Sequence, residues 1–205
     1  MPPRVQKTEA FRVFEANLER SRAFLRIFDK DRSVGQPSND EKELLRGSLV
    51  FAVGALDAYL SDLILEIVPK HAPSSSNLTD ALKAIAKSDP GLSLRVALVK
   101  NDDDREAEFR AALDEFLAAK SFQGPAKVMT AVEYVACPVT WADLDAATGV
   151  SAAKELQRIT NDRHDIVHRG QKPYVRRRLA EQTIELISPI AAHIDAEVGR
   201  LYEAA

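Results

Sequence analysis

The sequence predicts an all-α protein, and three observations carry that prediction. Apolar residues recur in steps of three and four along most of the chain, while strand-like alternation is nearly absent. Glycine is scarce, at 8 of 205 residues, which leaves few of the tight turns a β-fold needs. Two stretches, "SNDE" (Ser38–Glu41) and "TWAD" (Thr140–Asp143), carry the capping-box pattern that opens helices. We expect one domain over residues 1–205, an elongated bundle of about six to eight helices whose long central and C-terminal helices pack together.

The elements follow in order. An N-terminal helix (within 1–33) runs from about Thr8 to Lys30, with Phe11, Phe14, Leu18 and Leu25 near one face. "SVGQPS" breaks it. Ser38 opens a central helix over 39–70, in which Leu49, Val53, Leu56, Leu60, Leu63 and Ile67 form a stripe. Between Leu49 and Leu56 nearly every face is apolar, as in the middle helix of a bundle. "HAPSSSN" closes it. Shorter helices occupy 77–148, in "LTDALKAIAK", "REAEFRAALDEFLAA" and "AKVMTAVEYV", separated by "DPG", "NDDD" and "FQGP". The acidic run Asp102–Asp104 reads as a helix cap and first turn rather than a metal site. A helix over 151–169 is capped by Ser151 and stopped by Gly170. The last helix (176–203) carries Ala180, Ile184, Ile187, Ala191, Ile194, Val198 and Leu201 as a stripe that should lie along the Leu49–Ile67 stripe.

Composition excludes several function classes. A net charge of −3 and a pI near 5.9 argue against a broad surface for duplex nucleic acid, so any polyanion site is local. One cysteine, Cys137, cannot form a disulfide within the chain or a zinc cluster, and an intracellular compartment is the default. "YVACPVTW" offers it no basic neighbour, so Cys137 reads as a small core residue. "MPPRVQKTEAF" lacks the apolar core of a signal peptide. The most apolar run, Leu49–Leu60, is too short to span a bilayer and holds Asp57. The expectation is a cytoplasmic protein with no membrane partner.

The chemistry concentrates in "RITNDRHDIVHRG", Arg158–Gly170. Arg163 lies four residues after Ile159 and three before Ile166, on the apolar stripe formed with Ala152, Leu156 and Val167. A buried arginine needs a carboxylate or an anionic ligand, because an unpaired buried charge is costly. Asp57, inside the most apolar part of the central helix, is the matching anomaly. The pair predicts that Asp57 lies near Arg163 and holds it. The alternative is that Asp57 reaches a polar edge.

His164 and His168 are four apart and share a face with Asn161. Two histidines so spaced can bind zinc, but "HDIVH" lacks the glutamate of the zincin pattern, and His71 and His193 lie in distant segments; no metal is expected. Acid–base work on a phosphate fits better. Histidine exchanges protons near neutrality, and arginine stabilises phosphoryl charge, which together suffice for attack of a ribose 2′-hydroxyl on its own phosphodiester. Arg169, Lys172, Arg176, Arg177 and Arg178 follow as a basic cluster able to grip single-stranded RNA. Three arginines at a helix start oppose the dipole preference, which favours a binding role over a solvated charge run. Five residues place Arg163 and His168 about 140° apart on one helix, so a second subunit is expected to complete the site.

On these residues the chain resembles the HEPN superfamily, most closely its RiboL-PSP-HEPN type. Arg163-His164-x3-His168-Arg169-Gly170 is similar to the family's R-x4-6-H motif, and "SLVFAVGALDAYLSDLI" (Ser48–Ile64) to the long helix before it. The resemblance implies a homodimer with two motifs facing across a cleft, and a metal-independent ribonuclease without cofactor in a toxin–antitoxin, defence or RNA-processing role. It implies Arg163 and His168 as the catalytic pair, His164 as the supporting polar residue, and an antitoxin or other neighbouring-gene protein as a partner. Members silenced by nucleotide addition carry a tyrosine where this chain has Gly170, and Tyr174 lies beyond the turn, which argues against that control. Some members only bind. The competing function is therefore a non-catalytic helical module for RNA or a protein partner.

Overall fold

The periodic segments become nine helices and no strand among the described residues of a computed structural model, which describes residues 6–31, 36–169 and 174–202. In chain order these are α1 (Glu9–Asp31), α2 (Asn39–His71), α3 (Ser76–Ser88), α4 (Leu92–Leu98), α5 (Asp102–Ala118), α6 (Pro125–Tyr134), α7 (Trp141–Thr148), α8 (Ala152–His168) and α9 (Arg177–Tyr202).

Both capping boxes form. Ser38 Oγ accepts from the Glu41 amide while the Glu41 carboxylate accepts from the Ser38 amide, and Thr140 and Asp143 do the same for α7. Two donors that the first helical turn would leave unpaired are thus satisfied at each site. The acidic run Asp102–Asp104 does form the first turn of α5, behind an Asn101 cap.

α2 is the axis of the bundle. α1 lies along it, and α9, α8, α5 and α6 pack on its other sides. All six residues of its expected stripe are buried, each stabilising the fold by roughly 1.5–3 kcal/mol relative to exposure. By length and composition α2 is also apolar enough to cross a membrane, but most of that stretch is buried by neighbouring helices, as in the core helix of a bundle. The expected packing of the C-terminal helix on α2 is present, with Ala180, Ile184, Ile187, Ala191, Ile194 and Val198 buried; Leu201 is exposed.

Polar ties set the registers of the long helices. Between α1 and α2, Ser21 Oγ donates to the Ser48 carbonyl at 2.7 Å in a buried setting. At the start of α1, Thr8 Oγ1 accepts from the Phe11 amide and donates to Asp195 of α9, and the Glu66 carboxylate of α2 accepts from the Glu9 and Ala10 amides. One helix start is therefore capped by a side chain of α2 and tied through Thr8 to α9.

The structure departs from expectation in two elements. It adds α4: "LSLRVAL" is too short for a periodic signal, and its Leu94 and Leu98 are exposed. α4 is held by Arg95, which bridges Asp89 and Glu108 of α5. Ser151 does not cap α8 with its side chain. Asp145, from the preceding helix, accepts from the Ala152 amide instead, at 2.7 Å.

Candidate functional site at the end of α8

α8 is anchored at its beginning and free at its end. Ala152, Leu156 and Ile159 are buried, Ile166 is half-buried, and Val167 is exposed, so the apolar stripe fades before the motif is reached. His164 and His168 stand exposed, with ring centroids 5.0 Å apart. Asn161, on the same ridge, accepts from the Gln157 side-chain amide. Gly170 and Lys172 lie outside the described residues.

Arg163 and His168 meet within one helix. The guanidinium Nη1 sits 3.3 Å from His168 Nε2. This corrects the expectation that a 140° separation keeps them apart, because the long arginine side chain spans what the backbone angle does not. Guanidinium nitrogens only donate, so this contact requires His168 Nε2 to accept, which is the neutral ring with its proton on Nδ1. That is the form able to take a proton.

The expected pairing of Asp57 with Arg163 is also corrected. The Asp57 carboxylate accepts from the Phe122 amide at 2.5 Å, from Gln123 Nε2 at 2.6 Å and from Ser121 Oγ at 3.4 Å. It faces the loop before α6. Gln123 passes the support on: its carbonyl accepts from Thr160 of α8 at 3.0 Å. Asp57 thus positions the motif helix through the Gln123 segment and leaves Arg163 without a carboxylate among the described residues. Arg163 Nε is buried and has no hydrogen-bond partner.

The carboxylates near the motif are engaged locally. Arg158 pairs with Glu155 at 2.8 Å and stands 3.8 Å from Asp162, and Asp165 takes Arg169 at 3.1 Å. Burial raises the Asp162 carboxyl above the usual range, against the lowering effect of Arg158.

The basic cluster divides. Arg177 binds both oxygens of Asp29, at 2.9 and 3.0 Å, and reaches Glu181 at 2.5 Å. Its hydrogen bond to Asp29, outweighing burial, holds its guanidinium well above the usual range. Arg177 is therefore a clasp between the end of α1 and the start of α9, which explains one of the three arginines that oppose the helix dipole. Arg176 lies over the Tyr174 ring at 5.6 Å, and both Arg176 and Arg178 are exposed.

Cys137 is buried, and burial raises its thiol to about 11, in keeping with a core residue. Among the described residues, no group of three or more His, Cys, Asp or Glu is arranged to hold a metal ion. The chain matches no family model, no curated protein and no solved structure.

Several residues at the site carry no signal in the sequence. Gln123 and Thr160 sit in unremarked polar positions, and their roles arise only because α2, the 121–124 loop and α8 converge. Phe51 and Gly54 sit in a segment that is apolar on nearly every face. They instead line an open groove with Arg20 and Arg163.

Proposed function

We propose that this protein is a metal-independent endoribonuclease of the HEPN type, acting as a homodimer on single-stranded RNA. The observation that carries the reading is the Arg163–His168 contact at the exposed end of α8. As the RNA binds, the Arg163 guanidinium turns from His168 Nε2 to the phosphoryl oxygens, and the freed Nε2 takes the proton of a ribose 2′-hydroxyl. O2′ attacks the adjacent phosphorus, the bond to the 5′-oxygen breaks, and that oxygen takes a proton from His164. Arg163 stabilises the negative charge gathering on the phosphoryl oxygens. The products are a 2′,3′-cyclic phosphate and a free 5′-hydroxyl. Arg169, Arg176 and Arg178, with Lys172, draw the RNA backbone toward the helix end. A cytoplasmic toxin or defence effector, restrained by a neighbouring-gene protein, is the setting this chemistry suits.

The test is cleavage of varied single-stranded RNAs by wild type and His168→Ala, with and without EDTA. Loss of a general base lowers the rate by about 10²–10⁴. Wild type should cut equally well in EDTA and leave cyclic phosphate ends, while the variant keeps its melting temperature and loses cleavage. Wild type that binds these RNAs without cutting them would sink the enzyme reading in favour of a binding module.

A further inference from the structure

We propose that the groove between α1, α2 and α8 is a nucleotide subsite. The phosphate meets Arg20 and Arg163, and the base stacks on the Phe51–Arg20 pair above a floor left open by Gly54. The choice of RNA as ligand rests on the ribonuclease reading. The proposal extends that reading from where the strand is cut to where it is held.

Gly54 supplies the first reason. It sits in the middle of α2, where glycine is unfavourable relative to alanine. A Cβ added there meets nothing within 4 Å. Packing inside the protein therefore does not call for a glycine; close approach from outside does. The groove it floors holds about 310 Å³, and Asn17, Arg20, Phe51 and Arg163 stand around it.

The charges supply the second reason. On α1, Arg12, Arg22 and Arg26 each have a carboxylate partner. Arg20 has none among the described residues and instead lies over the Phe51 ring at 5.2 Å. Arg163 likewise has no carboxylate, and its buried Nε is unpartnered. Two guanidinium groups around one groove, neither with a carboxylate among the described residues, call for an anion. An apolar partner surface would cover both guanidinium groups without a counter-charge, which disfavours that occupant.

The aromatic stack selects the kind of anion. Phe24 and Phe51 lie 5.2 Å apart, tilted by 40°, and Arg20 continues the stack. Phe51 is 38% exposed on a helix otherwise largely buried. A flat guanidinium backed by a ring is a surface on which a nucleobase stacks. Inorganic phosphate would leave that surface unused. Arg163 joins the groove to His168, so a nucleotide held here lies next to the reacting one.

The experiment uses the full chain and a labelled single-stranded 2′-O-methyl oligoribonucleotide, which cannot be cut, beside an abasic version. Binding is read by fluorescence anisotropy, fold by circular dichroism melting, oligomeric state by sedimentation, and cleavage on unmodified RNA. Gly54→Leu puts a branched side chain into the groove from a position where a Cβ meets nothing within 4 Å, and it favours the helix. It should weaken binding about tenfold, as should Phe51→Leu, while Phe51→Tyr keeps the ring and the affinity. The Phe51→Leu loss should vanish on the abasic strand, and Arg20→Gln should lower the salt dependence.

A folded Gly54→Leu protein with wild-type affinity overturns the proposal. So does wild type that fails to bind the oligonucleotide. A change of oligomeric state with unchanged affinity also overturns it and assigns the groove to a second copy. The two readings separate cleanly. Groove-dependent binding without RNA cleavage removes the ribonuclease and keeps the subsite; cleavage by wild type and Gly54→Leu alike does the reverse.

Discussion

The guanidinium of Arg163 reaches along its own helix to within 3.3 Å of His168 Nε2. Each residue thereby constrains the other. The arginine orients the ring and selects the tautomer that can accept a proton, and the ring gives the arginine a polar contact. A lysine at 163 has a point charge and no fork, and it cannot span groove and ring together. Arg163→Lys should lower RNA cleavage about 10²-fold or more, a size usual for losing an oriented charge-stabilising donor. Single-turnover rates at saturating RNA check this; a rate within a few-fold of wild type would separate Arg163 from the chemistry.

Asp57 tests the corrected contact. Asp57→Ala strands the Phe122 amide and the Gln123 side chain, which should cost about 1–3 kcal/mol and lower the melting temperature by a few degrees. Because Asp57 and Arg163 do not touch, the double variant with Arg163→Ala should be additive to within about 0.5 kcal/mol. Urea denaturation of the four proteins measures the coupling. A value well above that would restore the direct pair.

The three arginines at the start of α9 should behave differently. Arg177→Gln removes the two-point tie to Asp29 and should lower the melting temperature, leaving the salt dependence of RNA binding unchanged. Replacing Arg176 and Arg178 with Gln should do the opposite, reducing the slope of log affinity against log salt by about 0.7 for each phosphate no longer neutralised. Binding titrations over a range of salt decide between them.

Asp195 makes stability depend on pH. Burial raises its carboxyl above the usual range, the neighbouring Glu66 adds to the rise, and the Thr8 hydrogen bond and Lys7 only partly oppose it. With the folded value above the unfolded one, about 3.9, this group stabilises the fold fully below the unfolded value. That contribution is lost as pH climbs through the raised folded value. Asp195→Asn mimics the protonated form and can still accept from Thr8. It should melt at or above wild type at pH 7, with the difference closing toward pH 3. Melting curves across that range test the sign, and a variant less stable at pH 7 than at pH 3 relative to wild type would contradict it.

By itself the sequence determined the helices and the core. Steps of three and four place Leu49, Val53, Leu56, Leu60, Leu63 and Ile67 on α2 and their partners on α9, and the capping boxes at Ser38 and Thr140 form because they are local, within one turn. The motif histidines are legible for the same reason: a four-residue spacing puts two rings on one face. α4 is not legible, because seven residues with exposed leucines carry no period.

Only the tertiary structure decided which charges meet. Asp57 and Arg163 look like partners in the sequence because each is an ionisable group in apolar surroundings. Such a match fixes a need, not a direction, and the Phe122 amide and Gln123 reach Asp57 first. Arg177 resembles its neighbours until α1 brings Asp29, 148 residues earlier, beside it. Helical phase sets where a Cβ points. Where an arginine's far end comes to rest depends on which helices arrive alongside, and that is a property of the assembled bundle.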